Sequence, residues 1–182
     1  GQKMRAGFMR YAKKDIIVGI DPDITASGVA VLDVKTEDIT LMNLNFVELI
    51  DYLGRLSVLC EKENLTVEVV IEYSAGTQHN WHLSNQYESK RVISAKGYDL
   101  GRNHQIEQDI YDYVNNLLQL PIKRQPPFKK CWSGPNRKIT HKELISIMPI
   151  KDKTTNQEKR DAALIAWLAA DKPIKLSVSS LS

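Results

Sequence analysis

Two short apolar runs, each delivering an acid at its end, constrain this chain more than any other feature. Ile16–Ile20 runs into Asp21-Pro22-Asp23, and Val67–Ile71, interrupted only by Glu68, runs into Glu72. Apolar runs of this length, rich in β-branched residues, read as buried strands. Strands covered on both faces lie in the middle of a sheet flanked by helices. Each acid therefore emerges at the rim of a dry core.

The remaining pattern supplies that sheet and its cover. Gly28–Val34 and Ile39–Phe46 read as second and third strands, and their short connections favour an antiparallel meander. Phe46–Glu63 has helical spacing, with Val47, Ile50, Leu53 and Leu56 or Val58 on one side. Leu100–Leu118 is a second amphipathic helix, stopped by Pro121. Ile122–Phe128 reads as a fifth strand whose prolines suit an edge. Cys131–Ile139 is a loop, Thr140–Met148 a short helix before Pro149, and Asn156–Ala170 the last helix. Ser74–Lys96, with His79, Trp81, His82 and Tyr87, shows no clear period.

The order β-β-β-α-β-α-β-α-α predicts an α/β fold: a mixed five-stranded sheet, antiparallel meander plus parallel crossovers, with helices on both faces. Right-handed crossovers put the fourth strand beside the first. Asp21 and Glu72 then share one sheet edge, where open α/β sheets place their sites.

A chain of 182 residues suits one domain, expected over 15–172, with a basic, disordered arm at 1–14 and a flexible tail at 173–182. No apolar run approaches the roughly 20 residues of a membrane helix. Gly1–Lys14 holds no apolar stretch of signal-peptide type, so a cytoplasmic location is expected. Cys60 and Cys131 match no metal or redox spacing and read as free thiols.

Charge is unevenly spread. Pro121–Arg160 carries eleven Lys or Arg against three acids, a net +8, while the rest of the chain is net −5. A phosphate-tracking surface has this character, as does a solvated basic loop. Lys129, Lys130, Trp132, Arg137, Lys138 and Lys142 are the candidate nucleic-acid contacts in that segment. Lys142 falls at the second position of a helix capped by Thr140, with Glu143 closing a capping box. A lysine there opposes the helix dipole unless a phosphate lies nearby. Tyr73 and Trp81 are further candidates for stacking on a base, and His141 for touching phosphate; the histidines have no metal-ligand spacing.

The last helix adds two acids. Glu158 and Asp161 are three residues apart, and their stripe continues through Ile165 and Leu168. A core-facing stripe that begins with two carboxylates points at a cation. Each acid also has a structural alternative. Asp21 could cap a turn with Pro22, and Glu72 could simply end a strand. Glu158 could close a capping box on Thr155, and Asp161 could pair with Lys159 or Arg160. Taken together, Asp21, Glu72, Glu158 and Asp161 form an all-oxygen set that suits Mg2+ or Mn2+ rather than Zn2+. Two ions about 3.5–4 Å apart suit phosphodiester hydrolysis, with Asp21 as the bridging ligand.

These residues resemble a known family. Ile20-Asp21-Pro22-Asp23-Ile24-Thr25-Ala26-Ser27-Gly28-Val29-Ala30 resembles the opening motif of RuvC-type Holliday junction resolvases, of the ribonuclease H-like superfamily. Val69-Val70-Ile71-Glu72 is similar to their second acidic strand, and Glu158-Lys159-Arg160-Asp161-Ala162-Ala163-Leu164-Ile165-Ala166 to their final acidic helix. The chain departs from the pattern at Asp23, where the family has Gly, and at Glu158, where it has Asp. The resemblance implies a ribonuclease H-like fold and a Mg2+-dependent endodeoxyribonuclease that cleaves Holliday junctions or other branched DNA. It implies catalytic and metal-binding carboxylates at Asp21, Glu72, Glu158 and Asp161. Lys130 and Lys142 are the nearest matches to the family's two functional lysines, with Lys142 the catalytic one. It also implies a homodimer, for which Leu100–Leu118 offers Ile106, Ile110, Tyr111, Tyr113, Val114 and Leu117. The alternatives are an inactive nucleic-acid-binding module of the same fold, or a nuclease acting on RNA–DNA hybrid or in a transposase-like way. An actin-like kinase would need a duplicated domain that 182 residues cannot hold.

Overall fold

The computed structural model describes residues 14–74 and 90–174, with 90–100 as main chain only. The expected arm (except Lys14), most of the expected tail, and residues 75–89 with Trp81 lie outside the described residues. The strands are β1 Ile16–Asp21, β2 Ser27–Asp33, β3 Ile39–Leu44, β4 Val67–Glu72 and β5 Ile122–Gln125. The helices are α1 Phe46–Lys62, α2 Lys90–Asp112, α3 His141–Ile147 and α4 Gln157–Ala169. A π-helical turn, Tyr113–Leu118, follows α2, and a 3-10 turn, Pro135–Arg137, precedes α3.

The strands form one sheet in the order β3-β2-β1-β4-β5. β2 is antiparallel to β1 and β3, while β4 is parallel to β1 and β5. This is the mixed sheet that the sequence predicts, with the two acid-bearing strands as central neighbours. The pairing Ile20↔Ile71 sets Asp21 and Glu72 side by side as the strands end.

Alternation divides the sheet residues between two cores. Val18, Ile20, Val69 and Ile71 pack against Leu49 and Leu53 of α1, Ile110 of α2 and Val114 in the π turn. Ile17, Ala30, Leu32 and Val70 pack against Leu144 of α3 and Ala162, Ile165 and Ala166 of α4. Asp21 and Glu72 fall on the second face, under α4.

Two glycines let α4 lie close to that face. A Cβ on Gly19 would lie 2.8 Å from Ala166 N and nearer still to Ala162 O. A Cβ on Gly28 would collide with the Glu158 carbonyl group and lie 2.9 Å from Glu158 Cβ. Gly inside a buried strand signals this kind of close backbone approach.

Several boundaries differ from the sequence expectation. The second helix begins at Lys90, well before Leu100; the polar residues and Gly97 at its start blur the apolar stripe. β5 stops at Gln125, because Pro126 and Pro127 cannot donate to a ladder. α4 is capped by Asn156, whose side chain accepts from Lys159 N at 3.0 Å, so Glu158 does not close a capping box on Thr155. Asn is the stronger cap, and Thr155 instead bonds His141 Nδ1 at 2.8 Å. The box of Thr140 and Glu143 on α3 forms as the spacing predicts.

Of the residues expected on a dimer face, Ile110 and Val114 are wholly buried in this chain's own core, with Ile106 and Tyr111 packed against it. Leu117 remains 61% exposed.

The fit of α4 generates a test. Gly19→Ala is expected to cost about 1–3 kcal/mol by forcing helix and sheet apart, measured by urea denaturation. A loss below about 0.5 kcal/mol, the range of ordinary surface changes, would show that α4 can shift freely.

Candidate functional site

The site is built where β1 and β4 end under the first turns of α4. Asp21 is only 9% exposed. Burial is the main force pushing its carboxyl up, to about 10, followed by a hydrogen bond with Glu72 and the negative charges of Glu72 and Asp161; Lys138 opposes them.

Asp161 is held at both oxygens. Gln157 Nε2 donates to Oδ1 at 2.8 Å, and Lys138 Nζ lies 3.4 Å from Oδ2. The partners expected from sequence lie elsewhere: Lys159 faces Asp152 at 3.7 Å, and Arg160 Nε donates to Ile139 O at 2.9 Å. Arg160 Nη2 also donates to Gln157 Oε1 at 3.1 Å. That guanidinium braces the segment before α3 against α4, which brings Lys138 over the acids.

Lys138 itself follows the 3-10 turn, its N–H donating to Pro135 O at 3.1 Å, while its own carbonyl accepts from Gly134 N at 3.0 Å. Burial pulls its ammonium down, but Asp161, Asp21 and Glu72 together outweigh that and hold it above its ordinary value. Lys138 entered the sequence reading as a DNA contact; its place among the acids is a tertiary result. Lys142 is exposed on α3 and does not line the cleft beside the acids.

That cleft has a volume of about 370 Å³. Lys129, Lys130, Trp132, Arg137 and Lys138 line it together with Glu72 and Asp161, over a floor that includes Phe128, Ile139, Leu164 and Ile165. Five of the six candidate nucleic-acid contacts therefore meet at one opening.

Glu158 is half-buried, at the second position of α4. Its main chain packs over Gly28, on the β2 side of Asp21 and away from β4. Glu158 is not among the charges that perturb Asp21. Among the described residues, no three acids, histidines or cysteines converge on a single cation position. The donors themselves fit a hard divalent cation: they are carboxylate oxygens, and three of them share one ammonium.

Fold and cluster together define an α/β protein with a mixed five-stranded sheet and an acidic site at its central strands. No family model and no curated protein matches the sequence. Among solved structures, the chain is similar to RuvC from T. thermophilus in complex with Holliday junction substrate. The two are 16% identical, the match covers 83% of this chain and 89% of that one, and the TM-score is 0.36.

Asp21 sets a pH dependence. In the unfolded chain its carboxyl loses its proton near 3.8, while the folded chain keeps it to about 10. Stability from this group is therefore full below 3.8 and declines as pH rises toward 10. Without metal at pH 8, Asp21→Asn should be the more stable protein, with a Tm higher by several degrees. The advantage should shrink at pH 4. A lower Tm for the variant at pH 8 would mean that the site holds Asp21 ionised.

Proposed function

We propose that this chain is a divalent-metal-dependent endonuclease that cuts branched DNA, in the manner of the RuvC-type resolvases its motifs resemble. The observation that supports it most is the junction of two features at one opening. The carboxylates of Glu72 and Asp161, coupled to buried Asp21, meet a cleft edged by Lys129, Lys130, Arg137 and Lys138. A phosphodiester entering along the lysines would bring its phosphorus to the acids.

Asp21, Glu72 and Asp161 would hold Mg2+ or Mn2+, with Glu158 as the fourth carboxylate by resemblance. Two such ions supply Lewis acidity at the phosphodiester. The chain's own residues do the rest. Lys129, Lys130 and Arg137 bind and orient the backbone. Lys138, in salt-bridge reach of Asp161, lies where it can turn to a phosphate oxygen. The apolar floor limits water behind the reacting group.

One observation favours a second reading. Lys138 already pairs with Asp161, as in a module that binds nucleic acid without cutting it. Synthetic four-way junction, duplex and RNA–DNA hybrid, each with Mg2+ or Mn2+, separate the readings. The nuclease should nick the junction, and Asp21→Asn should abolish cutting while retaining binding. Junction binding without cleavage in either metal identifies the inactive module, and preferred cutting of the hybrid identifies a ribonuclease.

A resolvase makes two matched cuts, which a twofold dimer presents naturally. We extend the proposal to a homodimer, supported by exposed Val47, Val58, Leu59 and Leu117 on α1 and the π turn. With junction bound, light scattering should give the mass of the DNA plus twice the 20.7 kDa chain mass. A 20.7 kDa protein both with and without DNA would remove the dimer and leave the nuclease reading standing.

A further inference from the structure

We infer that Glu107, on α2 and outside the acid cluster, is a positioning residue that fixes the exit of β4 and so holds Glu72 at Asp21. This rests on the nuclease reading for its kinetic consequence but not for its structural one. The β4–β5 ladder runs one residue past Glu72, with Tyr73 N donating to Gln125 O at 2.8 Å. Ser74, the next residue, is bonded to α2. Ser74 N donates to both carboxylate oxygens of Glu107 at 3.2 Å, and the Ser74 hydroxyl donates to Oε1.

Neighbours reinforce the same two residues. The Arg124 guanidinium lies 5.0 Å from the Tyr73 ring and 3.8 Å from the Tyr111 ring, and Nη2 donates to Gln108 Oε1 at 3.3 Å. His104 Nδ1 lies 3.5 Å from Glu107 Oε2, within ion-pair reach, and its ring centroid is 5.7 Å from that of Tyr73. The exit of β4 is thus tied to both α2 and β5.

The use of a carboxylate here is informative. Glu107 is only 6% exposed, and a buried carboxylate is costly unless hydrogen-bonded and paired. A neutral side chain would tie a loop at lower cost. Glu107 instead gives Ser74 two acceptor oxygens on a rigid support, three residues before wholly buried Ile110. Ser74 also lines the cleft beside Glu72. The clamp therefore acts two residues from a cleft acid, where small misplacements are expensive in rate.

Glu107→Ala, the milder Ser74→Ala, and Glu107→Gln test this. Hydrogen exchange should show lost amide protection confined to residues 70–74 in the two alanine variants, with β1 and β2 unchanged. On junction DNA, both should lose about tenfold in kcat, with KM within about twofold, and need more Mg2+ for half-maximal rate. Glu107→Gln, which keeps an acceptor for Ser74 N, should recover most of the loss. Native protection across 70–74 in Glu107→Ala overturns the clamp. Lost protection with native kcat and Mg2+ dependence overturns the positioning role. If the native chain cuts nothing, the nuclease reading falls, and the exchange result alone decides the clamp.

Discussion

The close seating of α4 on β1 and β2 is the constraint on which the site depends. Gly19 and Gly28 offer no side chain to the helix, so its main chain rests directly on the sheet at Ala162, Ala166 and Glu158. This contact buries Asp21 and brings Asp161 within electrostatic reach of it. A larger residue at either glycine would lift the helix and separate the acids. Core packing and site geometry are therefore the same contact seen from two sides.

Electrostatics within the site are poorly compensated. Asp21, Glu72 and Asp161 share Lys138 as their nearby ammonium, and Asp21 answers by keeping its proton. Such a cluster opposes the stability of the metal-free fold. It persists because the hydrophobic cores on both faces of the sheet over-determine the positions of β1, β4 and α4. Burial raises the interaction between these charges well above its value in water, so the arrival of cation or phosphate would rearrange Lys138 and Asp161 first.

Much of the fold was legible in the chain itself. The mainly apolar, β-branched segments before Asp21 and Glu72 marked central strands, because strands covered on both faces favour such sequence. The Glu158–Asp161–Ile165 stripe marked a helix entering the core acid-first. Boundaries were less legible where local signals compete: Gly97 and polar neighbours hid the start of α2, and Asn156 displaced Thr155 as the cap of α4. The two glycines did carry a readable signal, since an isolated Gly in a strand marks close backbone approach.

What the sequence determined by itself was the set of elements, their order, and which strand ends bear acid, because periodicity and capping are local properties. Only the tertiary structure decided the company those acids keep. Lys138 rather than Lys142 faces them, Lys138 rather than Lys159 or Arg160 pairs with Asp161, and Glu107 of α2 reaches Ser74 beyond β4. Partners so far apart in the chain are chosen by how helices and loops pack on the sheet, and no local pattern encodes that choice.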